Sequence, residues 1–310
     1  MHLLTHPSGD GRVAVFGAGL IGSALLSRAS AMGASLIARV PWAWSGDAMT
    51  CRNQNERARQ WLAGEDRLDL VWSAGRAGFD AIVDLCVGLR AARPQRPLLL
   101  HLLSSAGGIH EGSGKVGPDK AIAPGRPYGE LKLAQEALAC SRLGRDGVAI
   151  YRPSAVFGWT RHGRRGLIMT LLANGLRYRV TTIIGRPESS RDFLWVRDLA
   201  DWMMRGLRDP GRPGRCSILA SGRPISMSEV LRAVEQTLGR RLYVQYRIDP
   251  REAPRLAYHP AVIAAGLHSQ HLQVALRGMW VDAVGAARET AEGVNRVRSP
   301  VSRGDPLPSP

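Results

Sequence analysis

A tyrosine and a lysine stand four residues apart in the segment RPYGELKLAQE, at Tyr128 and Lys132. A helix is predicted here from the spacing of the apolar residues, which are Leu131, Leu133, Ala134, Ala137 and Leu138. Four residues make about one helical turn, so the phenol and the ammonium share a face. Such a pair suits acid–base chemistry, but the spacing alone also fits an exposed Tyr and Lys on an ordinary helix.

Two serines come directly after a predicted strand. The run Pro97–Leu103 is apolar and leads into SSAGGIHEG, which begins with Ser104 and Ser105. Hydroxyl groups at the carboxyl end of a buried parallel strand lie where α/β folds bind their ligands. Ser105 is the better catalytic candidate of the two, although a serine in this position also serves as a turn residue or a helix cap.

The N-terminal part of the chain contains the glycine pattern GAGLIG. Arg12–Phe16 is predicted to be a strand and the residues up to Gly33 a helix, so this G-x-G-x-x-G lies between a strand and a helix. The first glycine permits a tight turn, the second lets a pyrophosphate approach the backbone, and the third allows close packing. The helix N-terminus attracts the phosphates. The pattern predicts dinucleotide binding by Gly17, Gly19, Leu20, Ile21 and Gly22.

A second strand, Ser35–Val40, is predicted to complete a parallel strand–helix–strand unit. An acidic residue at its end would bind the ribose 2′-hydroxyl of NAD, but this strand ends in A-R-V. Arg39 would accept the 2′-phosphate of NADP, which makes NADP the favoured cofactor and NAD the alternative; the simpler interpretation is a surface arginine. Ala74, just after the predicted strand Leu68–Ser73, is expected in the same cofactor site.

These positions require strands and helices that alternate along the chain. Further strands are predicted at Leu68–Ser73, Pro97–Leu103, Val148–Arg152 and Cys216–Ala220, and helices at Ala77–Ala92, Tyr128–Leu143 and Val196–Leu207. The alternation predicts an α/β fold, a doubly wound parallel sheet of the Rossmann-like kind with a smaller C-terminal substrate-binding cap. The expected boundaries are a flexible N-terminus at 1–10, a cofactor domain at 11–160 completed by about 191–222, a cap at 161–190 and 223–285, and a disordered tail at 286–310.

The composition narrows the class of protein. The 310 residues include no run of about 18 consecutive apolar residues, so we expect a sizeable core and no membrane span. The N-terminus is too short and polar for a secretory signal. The four cysteines form no metal-ligand pattern, which predicts reduced thiols in a cytoplasmic protein without a metal site. The net charge of +16 comes from dispersed arginine without a dense run, which does not favour nucleic acid as a partner.

Taken in order, these features resemble the extended branch of the short-chain dehydrogenase/reductase superfamily, the NAD-dependent epimerase/dehydratase family. The resemblance covers roughly Arg12 to Ala283. SSAGGIHEG resembles Ser-Ser-x-x-x-Val-Tyr-Gly, RPYGELK matches Pro-x-Tyr-Gly-x-x-Lys, YRPSAVFG resembles Arg-Pro-x-x-Val-Tyr-Gly, and RDFLWVRDLA matches Arg-Asp-Phe-x-x-Val-x-Asp-Leu-Ala. Such a series in this order is far more specific than any of its members.

The resemblance implies an enzyme whose nicotinamide cofactor carries hydride. Tyr128 would be the general acid or base, although a free phenol has a pKa near ~10. Lys132 would favour the phenolate and would also bind the nicotinamide ribose, and Ser105 would hydrogen-bond the reacting oxygen. The implied substrate is a sugar nucleotide whose diphosphate meets Arg191 and Arg251.

The family also implies a homodimer. Its tyrosine-bearing helix and the helix before it pair with their copies, which predicts a surface formed by Ala77–Ala92 with Leu131, Ala134 and Leu138. Some features depart from the family: the glycine loop is one residue shorter, His110 stands where a tyrosine is usual, and the short interval from residue 39 to 68 predicts a truncated third strand.

The same comparison limits the reaction. Ala106 and Gly107 stand where the 4,6-dehydratases of the family carry Asp and Glu, and no cysteine lies near Ser105 as in the epimerase–reductases. A 4-epimerase or a simple ketoreductase remains. The alternative from another class is a non-catalytic NADP(H)-binding redox sensor or assembly factor of the same fold.

Overall fold

The structure, a computed structural model, describes residues 1–42, 47–75, 78–160, 165–208, 216–249 and 255–297, with side chains up to residue 285. Its strands in chain order are β1 (His2–Thr5), β2 (Arg12–Phe16), β3 (Leu36–Arg39), β4 (Leu68–Trp72), β5 (Leu98–Leu103), β6 (Gly114–Val116), β7 (Val148–Pro153), β8 (Ala155–Phe157), β9 (Thr181–Ile184), β10 (Ser190–Trp195), β11 (Cys216–Leu219), β12 (Pro224–Ser226), β13 (Val244–Arg247) and β14 (Leu256–Tyr258). Its helices are α1 (Leu20–Ala31), α2 (Ala48–Leu62), α3 (Phe79–Ala92), α4 (Ala106–Ile109), α5 (Pro127–Leu143), α6 (Leu167–Leu176), α7 (Val196–Arg208), α8 (Met227–Leu238) and α9 (Leu272–Val297).

Seven strands form the main sheet, in the order β11-β7-β5-β4-β2-β1-β3. The strands from β11 to β2 in this order pair in parallel. Helices cover both faces of the sheet, which is why most residues of these strands are apolar. α3 and α5 pack on the face that carries Leu70 and Leu100, whereas α1 and α7 pack on the face that carries Val13 and Val71. The predicted doubly wound sheet is confirmed, and the carboxyl ends of its parallel strands meet at one edge.

The N-terminal residues are part of this sheet, so the expectation of a flexible segment at 1–10 is wrong for His2–Thr5. These residues form β1, which pairs antiparallel with both β2 and β3. Leu3 and Leu4 are buried against the two opposite faces. A run of four residues carries little local signal, because its stability comes from pairing with strands that the fold brings to it.

The insertion of β1 changes the predicted strand–helix–strand unit. β2 and β3 run in the same direction but do not pair, since β1 lies between them. Where we expected a truncated third strand, the described residues between β3 and β4 contain α2 and no strand. α2 begins at an N-cap, Asp47, whose carboxylate accepts hydrogen bonds from the backbone N–H groups of Met49 at 2.9 Å and Thr50 at 2.7 Å.

A second hydrophobic cluster lies outside the sheet and forms the core of the cap. It joins α6, α8 and α9 to β9 and β10, with Leu171, Val230 and Leu276 buried at its centre. α9 continues to Val297, so the tail predicted to be disordered from residue 286 is helical up to that point, and residues 298–310 lie outside the described residues. Within the described ranges, no helix is both long enough and apolar enough to cross a membrane.

Candidate active site

The glycine loop lies at the carboxyl edge of the sheet, between β2 and α1. Gly17 has a φ of +96°, and a Cβ atom there would lie 2.8 Å from the backbone nitrogen of Ala74. A Cβ atom on Gly22 would lie 1.8 Å from the carbonyl oxygen of Gly17. A Cβ atom on Gly19, the N-cap of α1, would have no neighbouring atom within 4 Å. The turn, the close packing and the free approach that a pyrophosphate needs are therefore all present.

The other predicted cofactor residues surround this loop. Leu20 and Ile21 form the first turn of α1 and are half-buried. Ala74 follows β4 and packs against Gly17, and its neighbour Ser73 donates hydrogen bonds to the carbonyls of Gly17 at 2.6 Å and Phe16 at 3.0 Å. These contacts hold the loop after β4 directly beneath the glycine loop.

Arg39 is the last residue of β3 and is exposed at the same edge of the sheet. Its partner in β1 is His2, which in turn stands opposite Val15 of β2. Among the described residues, Arg39 makes no ion pair or side-chain hydrogen bond. Because β1 lies between β2 and β3, Arg39 is one strand further from the glycine loop than the predicted strand–helix–strand unit would place it.

Ser105 is the N-cap of the short helix α4. Its hydroxyl oxygen accepts a hydrogen bond from the backbone N–H of Gly108 at 3.1 Å, so the capping interpretation is correct. Capping uses an oxygen lone pair and leaves the hydroxyl proton free, and the described residues offer no acceptor for it. A ligand oxygen can therefore still accept from Ser105.

Two glycines bring α4 against α5 and place the tyrosine beside the serine turn. A Cβ atom on Gly129 would lie 2.1 Å from the carbonyl oxygen of Gly108. A Cβ atom on Gly108 would lie 2.9 Å from Cδ1 of Tyr128. The tyrosine ring thus covers the backbone of α4, while its side chain remains 53% exposed in the first turn of α5.

Lys132 lies beneath the tyrosine ring, with Nζ 5.9 Å from the ring centroid. The lysine is only 4% exposed, and Nζ donates to the carbonyl of Leu103 at 2.9 Å and to Oε1 of Gln135 at 3.1 Å. Burial lowers the pKa of Lys132 to about 8, although the charge of Glu136 partly opposes the effect. At neutral pH the ammonium is therefore still charged and stabilises negative charge above it.

A cavity of about 330 Å³ separates Ser105 from the cap. Its wall includes Arg191, whose Nη1 donates to the carbonyl of Ser190 at 2.9 Å. The neighbouring Asp192 is held by Ser154 at 2.8 Å and by the 221–222 backbone, so it fixes the cavity wall. Ser105 and Arg191 are thus brought to one cavity, whereas Tyr128, which packs on Gly108, is not one of the lining residues.

Two cavity residues were missed by the sequence interpretation. Tyr258 of β14 is 3% exposed, and its hydroxyl has no hydrogen-bond partner among the residues that the structure describes. Burial beside Asp192 raises its pKa well above the ordinary value. Glu111 also lines the cavity and pairs with Arg126 at 2.9 Å. Neither lies at a distinctive spacing from Ser105, and no local pattern marks them.

Two other predictions have different outcomes. Arg251 lies outside the described residues. His110 follows α4, is buried and is not one of the residues that line the cavity, and burial lowers its pKa. No cluster of side chains suited to a metal ion occurs in the part of the chain that the structure describes.

A sequence profile of the NAD dependent epimerase/dehydratase family matches residues 81–218. MoeE5 in complex with UDP-glucose and NAD is similar in structure, with 21% identity, a TM-score of 0.69, and coverage of 87% of this chain and 97% of that one. The UDP-glucose 4-epimerase of Thermus thermophilus in complex with NAD is 19% identical, with a TM-score of 0.67 and coverage of 86% and 96%.

The dTDP-glucose 4,6-dehydratase of Bacillus anthracis in complex with NAD is 17% identical, with a TM-score of 0.65 and coverage of 86% and 94%. No curated protein matches the chain. The profile match and the shared fold together confirm the resemblance to this family, and structural likeness at these identities shows the Rossmann-like fold.

Proposed function

We propose, from the relation of this chain to the NAD-dependent epimerase/dehydratase family, that it is an NAD(P)-dependent enzyme that modifies a sugar nucleotide by hydride transfer. The observation that carries the proposal is the meeting of three features at one edge of the sheet. The glycine loop follows β2, and Ser105 with its cavity follows β5. The Tyr128–Lys132 pair lies in the first turns of α5, which packs against α4. The similar proteins named above include sugar-nucleotide enzymes with NAD bound.

Each of the three polar side chains has a distinct role in this proposal. Tyr128 takes a proton from a substrate hydroxyl or returns one to a carbonyl, because its exposed phenol is reached from the cleft. Lys132 stabilises the phenolate from below and binds the nicotinamide ribose. Ser105 donates its free hydroxyl proton to the reacting oxygen. The nicotinamide cofactor supplies or accepts the hydride when it is bound.

The cavity supports an epimerase or a ketoreductase over a dehydratase. Elimination of water needs an acid–base pair beside the sugar, and Ala106 and Gly107 supply none. Glu111 does line the cavity, but its carboxyl group is engaged by Arg126. Arg191 would bind the diphosphate, and Arg251 would add a second guanidinium.

The proposal is tested by titrating the purified protein with NADH and NADPH and then supplying a panel of nucleotide sugars. A product of unchanged mass with an inverted centre, seen by NMR, indicates epimerisation, and a gain of two hydrogens indicates reduction. Tight cofactor binding without any turnover would favour the sensor or assembly factor. Absence of cofactor binding would contradict the proposed function altogether.

NADP(H) is the cofactor that Arg39 favours. Its guanidinium would pair with the 2′-phosphate, so Arg39→Asp should reverse the preference toward NAD(H) by replacing attraction with repulsion. We expect NADPH affinity to fall by about 10-fold or more, which corresponds to about 1.4 kcal/mol, while NADH affinity stays close to the wild-type value. Arg145→Asp makes the same charge change before β7, at the opposite edge, and should leave both affinities unaltered. Wild-type protein that binds NADH at least as tightly as NADPH would contradict this role of Arg39.

We also propose a homodimer through the outer side of α5. Ala134 is exposed there and Leu131 and Leu138 are half-buried. α2 packs across α3 through the hydrogen bond from Asn55 to the carbonyl of Ala81, at 3.0 Å, so α5 would supply most of the surface. Sedimentation at micromolar concentration should show a dimer, and Ala134→Arg should convert it to monomer.

A further inference from the structure

Gln135 is a buried side chain next to the lysine of the site. It is 4% exposed, and each end of its amide is engaged. Oε1 accepts from Nζ of Lys132 at 3.1 Å, and Nε2 donates to the carbonyl of Gly75 at 3.2 Å. Because Gly75 lies in the loop after β4, the glutamine connects the lysine on α5 to that loop.

The same loop is tied to the glycine loop. Ser73, two residues before Gly75, donates to the carbonyl of Gly17 at 2.6 Å. A series of hydrogen bonds therefore runs from the predicted pyrophosphate loop, through residues 73–75 and Gln135, to the ammonium of Lys132. At one end of this series the pyrophosphate of a dinucleotide is expected, and at the other end its nicotinamide ribose.

The nearest carboxylate does not bind the ammonium of Lys132, which leaves Gln135 as one of its hydrogen-bond acceptors. Glu136 is one helical turn beyond Lys132, but it is bound by Arg152 through Nε at 3.0 Å and Nη2 at 2.6 Å and by the hydroxyl of Ser104. Among the described residues, the ring of Tyr128 on α5 also lies near the ammonium, and His110 after α4 interacts electrostatically with Arg152 and Glu136. The carboxylate is thus committed to another cation, and Gln135 and the Leu103 carbonyl are the acceptors that hold the lysine.

We propose that Gln135 is a positioning residue of this site: it holds Lys132 between the Leu103 carbonyl and the loop after β4, and it keeps the ammonium charged. This inference rests on the proposed function. An ammonium has three donor hydrogens, and the protein takes two of them. The third is left without an acceptor among the described residues, so it is available to a cofactor hydroxyl in the cleft.

The charge state of Lys132 can be measured directly because the chain has only three lysines, Lys115, Lys120 and Lys132. Protein labelled with 13Cε-lysine should give three side-chain signals by NMR, and the signal lost in Lys132→Arg identifies the one from the site. Its midpoint in wild-type protein without cofactor should lie near the value of about 8 given above. Lys115 and Lys120 provide internal references.

Two substitutions of nearly equal volume should move this midpoint in opposite directions. Gln135→Met removes an acceptor, which disfavours the charged lysine and lowers the midpoint. Gln135→Glu puts a carboxylate at the same distance and should raise the midpoint by about one pH unit or more. Gln245, an exposed glutamine of β13 that bonds to Thr182, provides the matched control, since Gln245→Met and Gln245→Glu should leave the Lys132 signal unchanged.

Cofactor affinity is the second readout. Gln135→Met should weaken NADPH or NADH binding, measured by nicotinamide fluorescence, by about 3- to 10-fold, which is the net weight of one ordinary hydrogen bond. The loss should be much smaller in a Lys132→Met background, because the glutamine acts through the lysine. A purely structural role would lower affinity equally in both backgrounds.

The outcomes separate this inference from the proposed function. Unchanged midpoints in both variants, or shifts of the same sign, would overturn the role of Gln135 even if the enzyme binds cofactor. If Gln135→Glu does not fold, a midpoint in Gln135→Met equal to that of wild type is sufficient to overturn it. Wild-type protein that binds neither cofactor would instead refute the proposed function, whatever the lysine titration shows.

Discussion

Tyr128→Phe is expected to lower turnover by about 10²- to 10⁴-fold, which is the usual contribution of a positioned acid or base. The substitution keeps the ring that covers the backbone of Gly108 and removes only the hydroxyl. Packing between α4 and α5 should therefore survive, and cofactor affinity should remain close to that of wild type. The measurements are steady-state turnover with the best nucleotide sugar and a fluorescence titration of the cofactor.

Lys132→Ala should also lower turnover, for a different reason. The ammonium lies 5.9 Å from the ring centroid and stabilises the phenolate. Its loss should raise the pKa of the Tyr128 phenol, so the increase of activity with pH should occur at higher pH. Unlike Tyr128→Phe, it should weaken cofactor binding as well, since the ribose contact is lost. The two residues act as one unit, and the double variant should be little worse than the poorer single variant.

The contrary view makes this pair two surface residues of an ordinary helix. On that view each change costs only a few tenths of a kcal/mol in stability and leaves turnover alone. The burial of Lys132 argues against it, but near-wild-type turnover in Tyr128→Phe would still exclude catalysis by the pair. An activity loss that is fully additive in the double variant would exclude their joint action.

Local patterns predicted the parts of the site that depend on near neighbours in sequence. The glycine loop, the Tyr128–Lys132 pair and the serine turn are each a short continuous segment of the sequence. The strands and helices that flank them begin and end within a few residues of the predicted bounds. β1 was missed because a strand of four residues depends on pairing with β2 and β3. Its antiparallel insertion is a choice among sheet arrangements that no local propensity distinguishes.

Contacts between segments that are distant in sequence could not be predicted from local patterns. Tyr258 reaches the cavity from more than 150 residues after Ser105, and Gln135 bonds to a loop 60 residues before it. Such neighbours become visible only when the sheet order is known. The buried charges of the sheet itself were missed for the same reason.

A chain of polar side chains crosses the sheet on the face covered by α7. Asp69 of β4 is 2% exposed, and its Oδ1 accepts from Nε2 of His101 on β5 at 2.7 Å. Oδ2 accepts from Nε of Arg67 at 3.0 Å and lies 3.1 Å from Nε2 of His6, just after β1. Because Nε2 of His101 donates to Asp69, its Nδ1 accepts from the hydroxyl of Tyr151 on β7, at 2.8 Å.

This arrangement determines the charge of Asp69. Burial alone raises the pKa of a carboxyl group, but the hydrogen bond from His101, the nearby Nε2 of His6 and the charge of Arg67 together outweigh it. The pKa of Asp69 therefore lies well below its ordinary value. A carboxyl group whose pKa is lower in the folded state stabilises the fold at any pH above its unfolded pKa, and the contribution is lost as the pH falls below that value.

Asp69→Asn should thus lower the free energy of unfolding at pH 7 by about 3–5 kcal/mol. The amide presents a donor where Arg67 or His101 already donates, and it leaves the guanidinium without its buried counter-charge. Urea unfolding followed by circular dichroism measures the change. The control is Asp84→Asn, which removes an exposed carboxylate paired with Arg142 at 3.0 Å and should cost no more than about 1 kcal/mol.

The pH dependence of this difference tests its electrostatic origin. Between about pH 5 and 8 the carboxyl of Asp69 is ionised in both the folded and the unfolded chain, so its own titration adds no pH dependence to the difference between wild type and Asp69→Asn. Below about pH 4 the unfolded chain takes up a proton that folded Asp69 resists, so the advantage of wild type should shrink steadily as the pH is lowered further. Packing loss alone would give a difference that does not change with pH. A constant difference down to about pH 2.5, or an Asp69→Asn variant as stable as Asp84→Asn at pH 7, would show that this buried carboxylate does not hold the strands together.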